Sequence, residues 1–268
     1  MPTKVYHIPA NWNIDPDQTI GFIFDVDELL IDNSREIFDA YRALLECRNI
    51  PIDPRETFPG KDLFEIIETL RTKYGILDSC DALVEERRDK YIEILKLRHG
   101  TVNRGVKEVF EFIDRNRDKL NIRTAYASSS EKSFVDIILK GIFRDCGLMD
   151  YADSPDSFFL FNEWQSACTC WQPGWEKKPS PMIYQKTLEK IGLSSRQCIA
   201  VEDSRSGVEA ALGAGLHVLV VPSKHNREYF KMLRSTNSFD PRINILSSLD
   251  DILPLFESLP TVSGAPLS

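Results

Sequence analysis

The chain has 268 residues, 42% of them hydrophobic and 28% charged, a globular composition that excludes global disorder. Its formal net charge of -8 argues against nucleic acid or an anionic membrane as the main partner, because both demand a basic face. Single domains commonly run ~100–200 residues, so this length gives room for one large domain and a smaller insert.

Residues 1–19 carry Pro2, Pro9 and Pro16 among few periodic apolar residues and read as an irregular lead-in with no signal-peptide pattern. The six cysteines are scattered, which points to a reduced, cytoplasmic compartment. Cys168-Thr-Cys170 has no second cysteine pair or nearby histidine, so it is expected to be two ordinary thiols in a loop rather than a zinc site. No uncharged apolar run approaches the ~20 residues of a membrane span. No membrane or nucleic-acid partner is expected, and the assembly is expected to be a monomer, with a dimer the alternative.

The first ordered stretch, Ile20-Gly-Phe-Ile-Phe24, reads as a buried strand that delivers Asp25 and Asp27 at its C-terminal end. Alternation along a strand sends both side chains to one side. Two carboxylates placed together repel and need a divalent cation or a shared proton. Read alone, the pair could equally be a solvated acid pair on an edge strand.

After Asp32 the apolar period becomes helical. Asn33 is a candidate N-cap with Glu36 three residues on, followed by Ile37, Phe38, Tyr41, Leu44 and Leu45. A proline-rich break through Pro51, Pro54 and Pro59 leads to Gly60-Lys61. Leu63, Ile67, Leu70 and Tyr74 then predict a second helix stopped by Gly75. A third helix is predicted over Asp81 to Arg98 and closed by Gly100. Residues 33–100 therefore read as an inserted, all-helical block.

From Gly105 strand and helix alternate. A helix through Val109, Phe110 and Phe112 precedes a strand from Ile122 to Ala127 and a helix from Lys132 to about Ile142. Further strands are predicted at Phe158 to Phe161, Cys198 to Glu202 and His217 to Val221, with helices at Pro181 to Ile191 and Ser206 to Ala214. Such alternation predicts an α/β fold, a doubly wound Rossmann-like parallel sheet whose ligands sit beyond the C-terminal strand ends. The core is expected to comprise residues 1–32 and 101–258, with 259–268 a flexible tail.

Three more polar groups fall at strand ends or helix starts. Ser128, Ser129 and Ser130 follow the 122–127 strand, where a hydroxyl and successive N–H groups can hold a phosphate oxygen, although serine runs are also common N-caps. Lys177-Lys178-Pro179-Ser180-Pro181 precedes a helix; elsewhere a lysine pair is usually only a solvated basic patch. Cys198-Ile-Ala-Val-Glu202-Asp203-Ser204-Arg-Ser-Gly207 again ends an apolar strand in adjacent acids, costly to bury without a cation.

Taken together, Asp25-Val-Asp27, Ser128, Lys178-Pro-Ser-Pro181 and Glu202-Asp203-Ser204-Arg-Ser-Gly207 resemble the four motifs of the haloacid dehalogenase-like (HAD) superfamily, in its β-phosphoglucomutase-like branch. The resemblance implies that residues 33–100 are a cap and that Asp25 is the nucleophile. It implies that Asp27 is the acid and base, and that Mg2+ is held by Asp25, the Asp27 carbonyl and Asp203, with Glu202 direct or through water. Ser128, Ser129 and Lys178 would bind the phosphoryl group, and Lys61 would face the substrate. The implied activity is a magnesium-dependent phosphatase of a small phosphomonoester such as a sugar phosphate, through an aspartyl-phosphate. Two alternatives stand beside it. One is a hexose-phosphate mutase, although the position of that branch's cap histidine, ten after Asp27, is Ile37. The other is an impaired, phosphate-binding relative, because Glu28 stands where the family has glycine; either the loop turns differently there or the activity is altered. Trp164, Trp171 and Trp175, between the 158–161 strand and Lys178, could line a pocket or pack a surface loop.

Overall fold

The computed structural model describes residues 18–53, 63–162, 165–166, 168–236, 240–259 and 261. Its chain divides into two compact units, residues 1–32 with 101–268, and residues 33–100.

In the larger unit the strands are β1 (Ile20–Phe24), β2 (Ile31–Asp32), β3 (Thr101–Val102), β4 (Ile122–Ser128), β5 (Leu160–Asn162), β6 (Gln165–Ser166), β7 (Cys168–Cys170), β8 (Cys198–Glu202), β9 (His217–Val220) and β10 (Ile243–Ile245). Six of them form one sheet in the order β10-β9-β8-β1-β4-β7, with every pairing parallel. This is the doubly wound α/β arrangement. The chain runs from β1 outward to β4 and β7 and then crosses to β8 on the other side, so the topological switch lies at β1.

Every residue of β1 is buried, as a central parallel strand covered on both faces requires. Ile23 joins the cluster formed with β8, β9 and the helices Met182–Ile191 and Arg205–Gly213. Phe22 and Phe24 face the opposite layer, with ring centroids 4.7 Å from Phe256 and 6.1 Å from Phe110 respectively. The pair β2–β3 is antiparallel and separate, and it stands where the chain leaves for residue 33 and returns at residue 101.

Two expectations are corrected at the sheet edge. Phe158 and Phe159 do not start a sheet strand but occupy a turn, fully buried. Their rings pack on Phe110 and Tyr126, with centroids 4.8 Å and 5.1 Å away. The Phe158 carbonyl accepts from Thr124 Oγ1 at 3.0 Å and Arg117 Nη1 at 2.9 Å instead of from a neighbouring strand. A short apolar run can plug a core as readily as it can extend a sheet. The sixth strand is instead Cys168-Thr-Cys170, paired with Tyr126–Ser128, where a loop was expected.

In the smaller unit, Ser34–Glu46, Leu63–Tyr74 and Cys80–Leu97 are helices packed around Leu44, Leu45, Ile67, Leu70 and Leu83. Gly75, at φ 63°, ends the second helix. Asn33 does not cap the first helix with its side chain; its Nδ2 donates to the Tyr91 hydroxyl at 3.1 Å. Glu36 pairs at 3.1 Å with Arg98, so the anticipated capping box does not form. The buried Arg87 guanidinium sits 4.5 Å and 4.6 Å from the Tyr41 and Tyr91 ring centres. Among the described residues no helix is long and apolar enough to cross a membrane.

Candidate active site

Three adjacent strands, β8, β1 and β4, bring Glu202, Asp25 and Ser128 to their C-terminal ends, Asp25 as the residue that follows β1. The Asp25 amide donates to the Val201 carbonyl at 2.9 Å, which carries the sheet one residue past β1 and fixes this side chain beside the end of β8. The chain then turns tightly. Leu30 N donates to Val26 O, and Glu28 N to Ile31 O, each at 2.9 Å. Asn103 clamps the turn through Nδ2, which donates to the Glu28 carbonyl at 2.7 Å and the Leu29 carbonyl at 3.0 Å.

The turn puts Glu28 at φ 61°, the left-handed region where glycine is free and other residues are strained. Of the two possibilities left open by the sequence, the loop therefore keeps the turn that glycine would make. Glu28 Oε1 is buried without a hydrogen-bond partner. Burial, then repulsion from Asp32 and Asp27 against the opposing Lys224, pushes its carboxyl up to about 7.

Asp25 and Asp27 engage different neighbours, because regular strand geometry ends at Phe24. Asp27 Oδ2 accepts from Ser128 Oγ at 3.2 Å and from Ser130 Oγ at 2.8 Å. Ser130 N in turn donates to Ser128 Oγ at 3.0 Å, and Ser129 lies half-buried between them. Asp25, only 7% exposed, accepts from Lys178 Nζ at 2.5 Å.

Lys178 also donates to Glu202 Oε1 at 2.6 Å and to the Ala127 carbonyl at 3.1 Å. Burial alone would pull its pKa down, but Asp25 and Glu202 outweigh burial and leave the ammonium well above its ordinary value.

Glu202 is fully buried and densely bonded. Oε1 also accepts from the buried Tyr184 hydroxyl at 2.6 Å, and Oε2 from Asp203 N at 3.1 Å and Ser204 Oγ at 3.3 Å. The carboxylate fits only because residue 207 is glycine: a Cβ there would stand 2.0 Å from Oε2. The Ser204 side chain accepts from Gly207 N and caps the helix Arg205–Gly213.

Carboxylate oxygens of Asp25, Glu202 and Asp203 lie within 4.8 Å of one another, all buried. Burial is the main cause that raises Asp25 well above the carboxylate range and Asp203 to about 8. Lys178 opposes both shifts, and Glu202 adds to both. With Asp27 nearby, the described residues set four acids around the Lys178 ammonium. A hard, oxygen-lined, over-negative site fits a divalent cation such as Mg2+, so the residues present suit the metal that the sequence implied.

The structure thus brings Asp25, Asp27, Ser128, Lys178, Glu202 and Asp203 together, while Lys61 lies outside the described residues. Tyr184 and Asn103 were missed from sequence, and Ser130 was named only as part of the serine run. Tyr184 sits at a helix position that reads as ordinary core, and Asn103 in a connection with no motif. Only Ser130, third in the serine run, carried a signal.

A family model described as a haloacid dehalogenase-like hydrolase matches residues 21–215. The phosphorylated carbohydrates phosphatase of Thermotoga maritima is 28% identical over 205 residues, which cover 72% of this chain and 81% of that protein. The β-phosphoglucomutase of Bacillus subtilis is 24% identical, over 74% of this chain and 81% of that protein. Among solved structures, a HAD hydrolase of family IA, variant 3, from Entamoeba histolytica superposes with a TM-score of 0.64 at 20% identity, a likeness of fold covering 87% of this chain and 95% of that one.

Proposed function

The chain belongs to the haloacid dehalogenase-like hydrolase family, and from that premise we propose a magnesium-dependent phosphatase of a small phosphomonoester, a sugar phosphate, acting through an aspartyl-phosphate on Asp25. The observation that carries the reading is the Lys178 ammonium held 2.5 Å from Asp25 and 2.6 Å from Glu202 at the converging ends of β8, β1 and β4. Such a lysine opposes the burial that raises Asp25, and a bound cation would add the charge that leaves the carboxylate ionised and ready to attack.

In the proposed reaction an Asp25 oxygen forms a bond to phosphorus while the ester P–O bond breaks. Asp27 gives its proton to the leaving oxygen. Water then attacks phosphorus, Asp27 takes the proton from that water, and Asp25 is released with inorganic phosphate. Ser128 and Ser130 hold the Asp27 carboxyl through their hydroxyls, and Lys178 offsets charge on Asp25 and the phosphoryl oxygens. Asp25, Asp203 and the Asp27 carbonyl would hold Mg2+, with Glu202 direct or through water, and the bound ion would supply charge neutralisation between nucleophile and phosphate. Ser129 is assigned to phosphate binding. On sequence grounds alone, the choice of ester is assigned to residues 33–100 and Lys61.

The preference for a sugar phosphate draws on the Thermotoga phosphatase, whose name specifies phosphorylated carbohydrates. The mutase reading ranks second, supported by the Bacillus relative and opposed by Ile37, an apolar side chain that cannot carry a proton to a sugar hydroxyl. The impaired-binder reading rests on Glu28, whose buried carboxylate would repel a phosphate.

The test is phosphate release from a panel of phosphate esters, with and without Mg2+, beside interconversion of hexose 1- and 6-phosphates. The expected outcome is magnesium-dependent release that Asp25→Asn abolishes without unfolding the protein. Folded protein that turns over no ester refutes the phosphatase, and efficient interconversion would make the mutase the better description.

A further inference from the structure

The larger unit holds a concavity whose described lining shares no residue with the acid cluster. It is a cleft of about 380 Å³ at the β7 edge of the sheet, within the size range of small-molecule sites. Trp171 and Trp175 line it. They are fixed in place: Trp171 Nε1 donates to the Trp175 carbonyl at 2.8 Å, and the Trp171 amide to the Ser128 carbonyl at 3.0 Å.

The cleft is cationic in an acidic protein. Among the described lining residues Lys132, Lys186 and Lys190 stand against one acid, Asp156, while the chain as a whole carries -8. Lys132 is already committed to Asp136 at 2.6 Å and Asp156 at 3.0 Å, so it forms part of the frame. Lys186 and Lys190 lie four apart on the helix Met182–Ile191 and therefore share a face. Lys186 pairs with the exposed Glu189 at 2.8 Å. A fourth lysine, Lys177, stands 4.9 Å from the Trp171 ring centre.

The floor carries the independent observation. Thr169 lines the cleft, is 5% exposed, and its Oγ1 has no hydrogen-bond partner. Buried hydroxyls in folded proteins almost always find one, so an unsatisfied hydroxyl on a residue that lines a cleft is a candidate partner for an outside atom.

We propose that this cleft is a ligand site, distinct from the phosphoryl chemistry, for a planar aromatic anion of the nucleoside monophosphate type. The ring lies against Trp171 and Trp175, as bases stack on aromatic side chains in nucleic-acid proteins. Lys186 and Lys190 meet the anionic group, and the Thr169 hydroxyl bonds a polar atom of the ring or sugar.

The experiment uses the full chain with AMP as the probe. A metal chelator is present throughout, so that hydrolysis and metal-assisted binding at Asp25 do not contribute. Equilibrium dialysis compares AMP with ribose 5-phosphate, which has the phosphate without the ring. The parent should bind AMP at least about tenfold more tightly than ribose 5-phosphate. The surface double variant Lys186→Glu/Lys190→Glu should weaken AMP by about tenfold or more, and Thr169→Val by severalfold, with melting temperatures near the parent's. AMP that binds no better than ribose 5-phosphate, or whose affinity ignores either the charge reversal or the loss of the hydroxyl, overturns the proposal.

Discussion

Replacing a helical glycine by alanine normally stabilises a protein by about 0.4–1 kcal/mol, because the unfolded chain loses freedom. At Gly207 the sign should reverse. An added Cβ would lie 2.0–2.1 Å from the three carboxylate atoms of Glu202. Non-bonded heavy atoms settle at about 3.5 Å, so the carboxylate must retreat by roughly 1.5 Å. That retreat breaks the 2.6 Å contacts from Lys178 and Tyr184 and the 3.1 Å bond from Asp203 N. Disrupting a buried ion pair costs about 3–5 kcal/mol, and the helix gain offsets at most ~1 kcal/mol. The net loss is ~2–4 kcal/mol, or a melting point lowered by on the order of 10 °C for a chain of this size. Lys178 also loses one of its two acids, and an ångström of misplacement can cost ~10²-fold in rate. Thermal unfolding followed by circular dichroism, paired with phosphate release, measures both effects. A Gly207→Ala protein that melts at or above the parent with unimpaired turnover would refute the claim that Glu202 is locked against this glycine.

Glu28→Gly should leave stability within about 1 kcal/mol, since relief of left-handed strain is offset by the freedom glycine gains when unfolded. It should raise kcat/KM by about tenfold, equivalent to ~1.4 kcal/mol of barrier; robust parental turnover unchanged by the substitution would show that the carboxylate does not oppose the phosphate. Tyr184→Phe removes one hydrogen bond to a charged group, worth about 1.5–3 kcal/mol, and should lower kcat more than it raises KM. An increase in KM alone would mean that Tyr184 does not act through Lys178. Mg2+ at about a hundred times its dissociation constant should stabilise the fold by ~2.7 kcal/mol, and chelation should reverse this. Asp203→Asn should lose most of that magnesium-dependent shift in melting temperature, and a full shift would remove Asp203 from the metal site.

The strands bearing the site were legible because a parallel strand buried on both faces must be an apolar run, and a polar residue at its end then stands out. Asp25, Ser128, Glu202 and Asp203 all announce themselves in this way. The sheet's edge was illegible for the same reason in reverse. Cys168-Thr-Cys170 is too short to show a period, whereas the stronger signal at Phe158 and Phe159 comes from rings buried against Phe110 and Tyr126. The partners of the site residues were equally hidden. Tyr184 on its helix looks like any core aromatic until its hydroxyl is seen 2.6 Å from Glu202, and Asn103 clamps the 26–31 turn from 75 residues downstream of Glu28. Contacts so distant in sequence leave no local pattern.

Asp25 and Asp27 are the same residue type two positions apart, yet the proposed chemistry needs one to stay ionised and attack while the other exchanges a proton. The fold separates them by environment, which is how neighbouring carboxyls acquire different roles. Asp25 is buried at the end of the central strand and pinned by a lysine that Glu202 and Tyr184 hold from behind. Asp27 lies beyond the last strand residue, half-buried, with the Ser128 and Ser130 hydroxyls donating to its Oδ2. A hydroxyl can donate to a carboxylate and can also turn to accept from a carboxylic acid, so Ser128 and Ser130 can follow Asp27 through both protonation states. An ammonium cannot accept at all, so Lys178 can donate to Asp25 in either state but pairs its charge only with the ionised one. The same inventory separates Glu202 from Asp203. Glu202 already has donors on both oxygens, leaving Asp25 and Asp203 as the carboxylates with the most capacity to hold a cation.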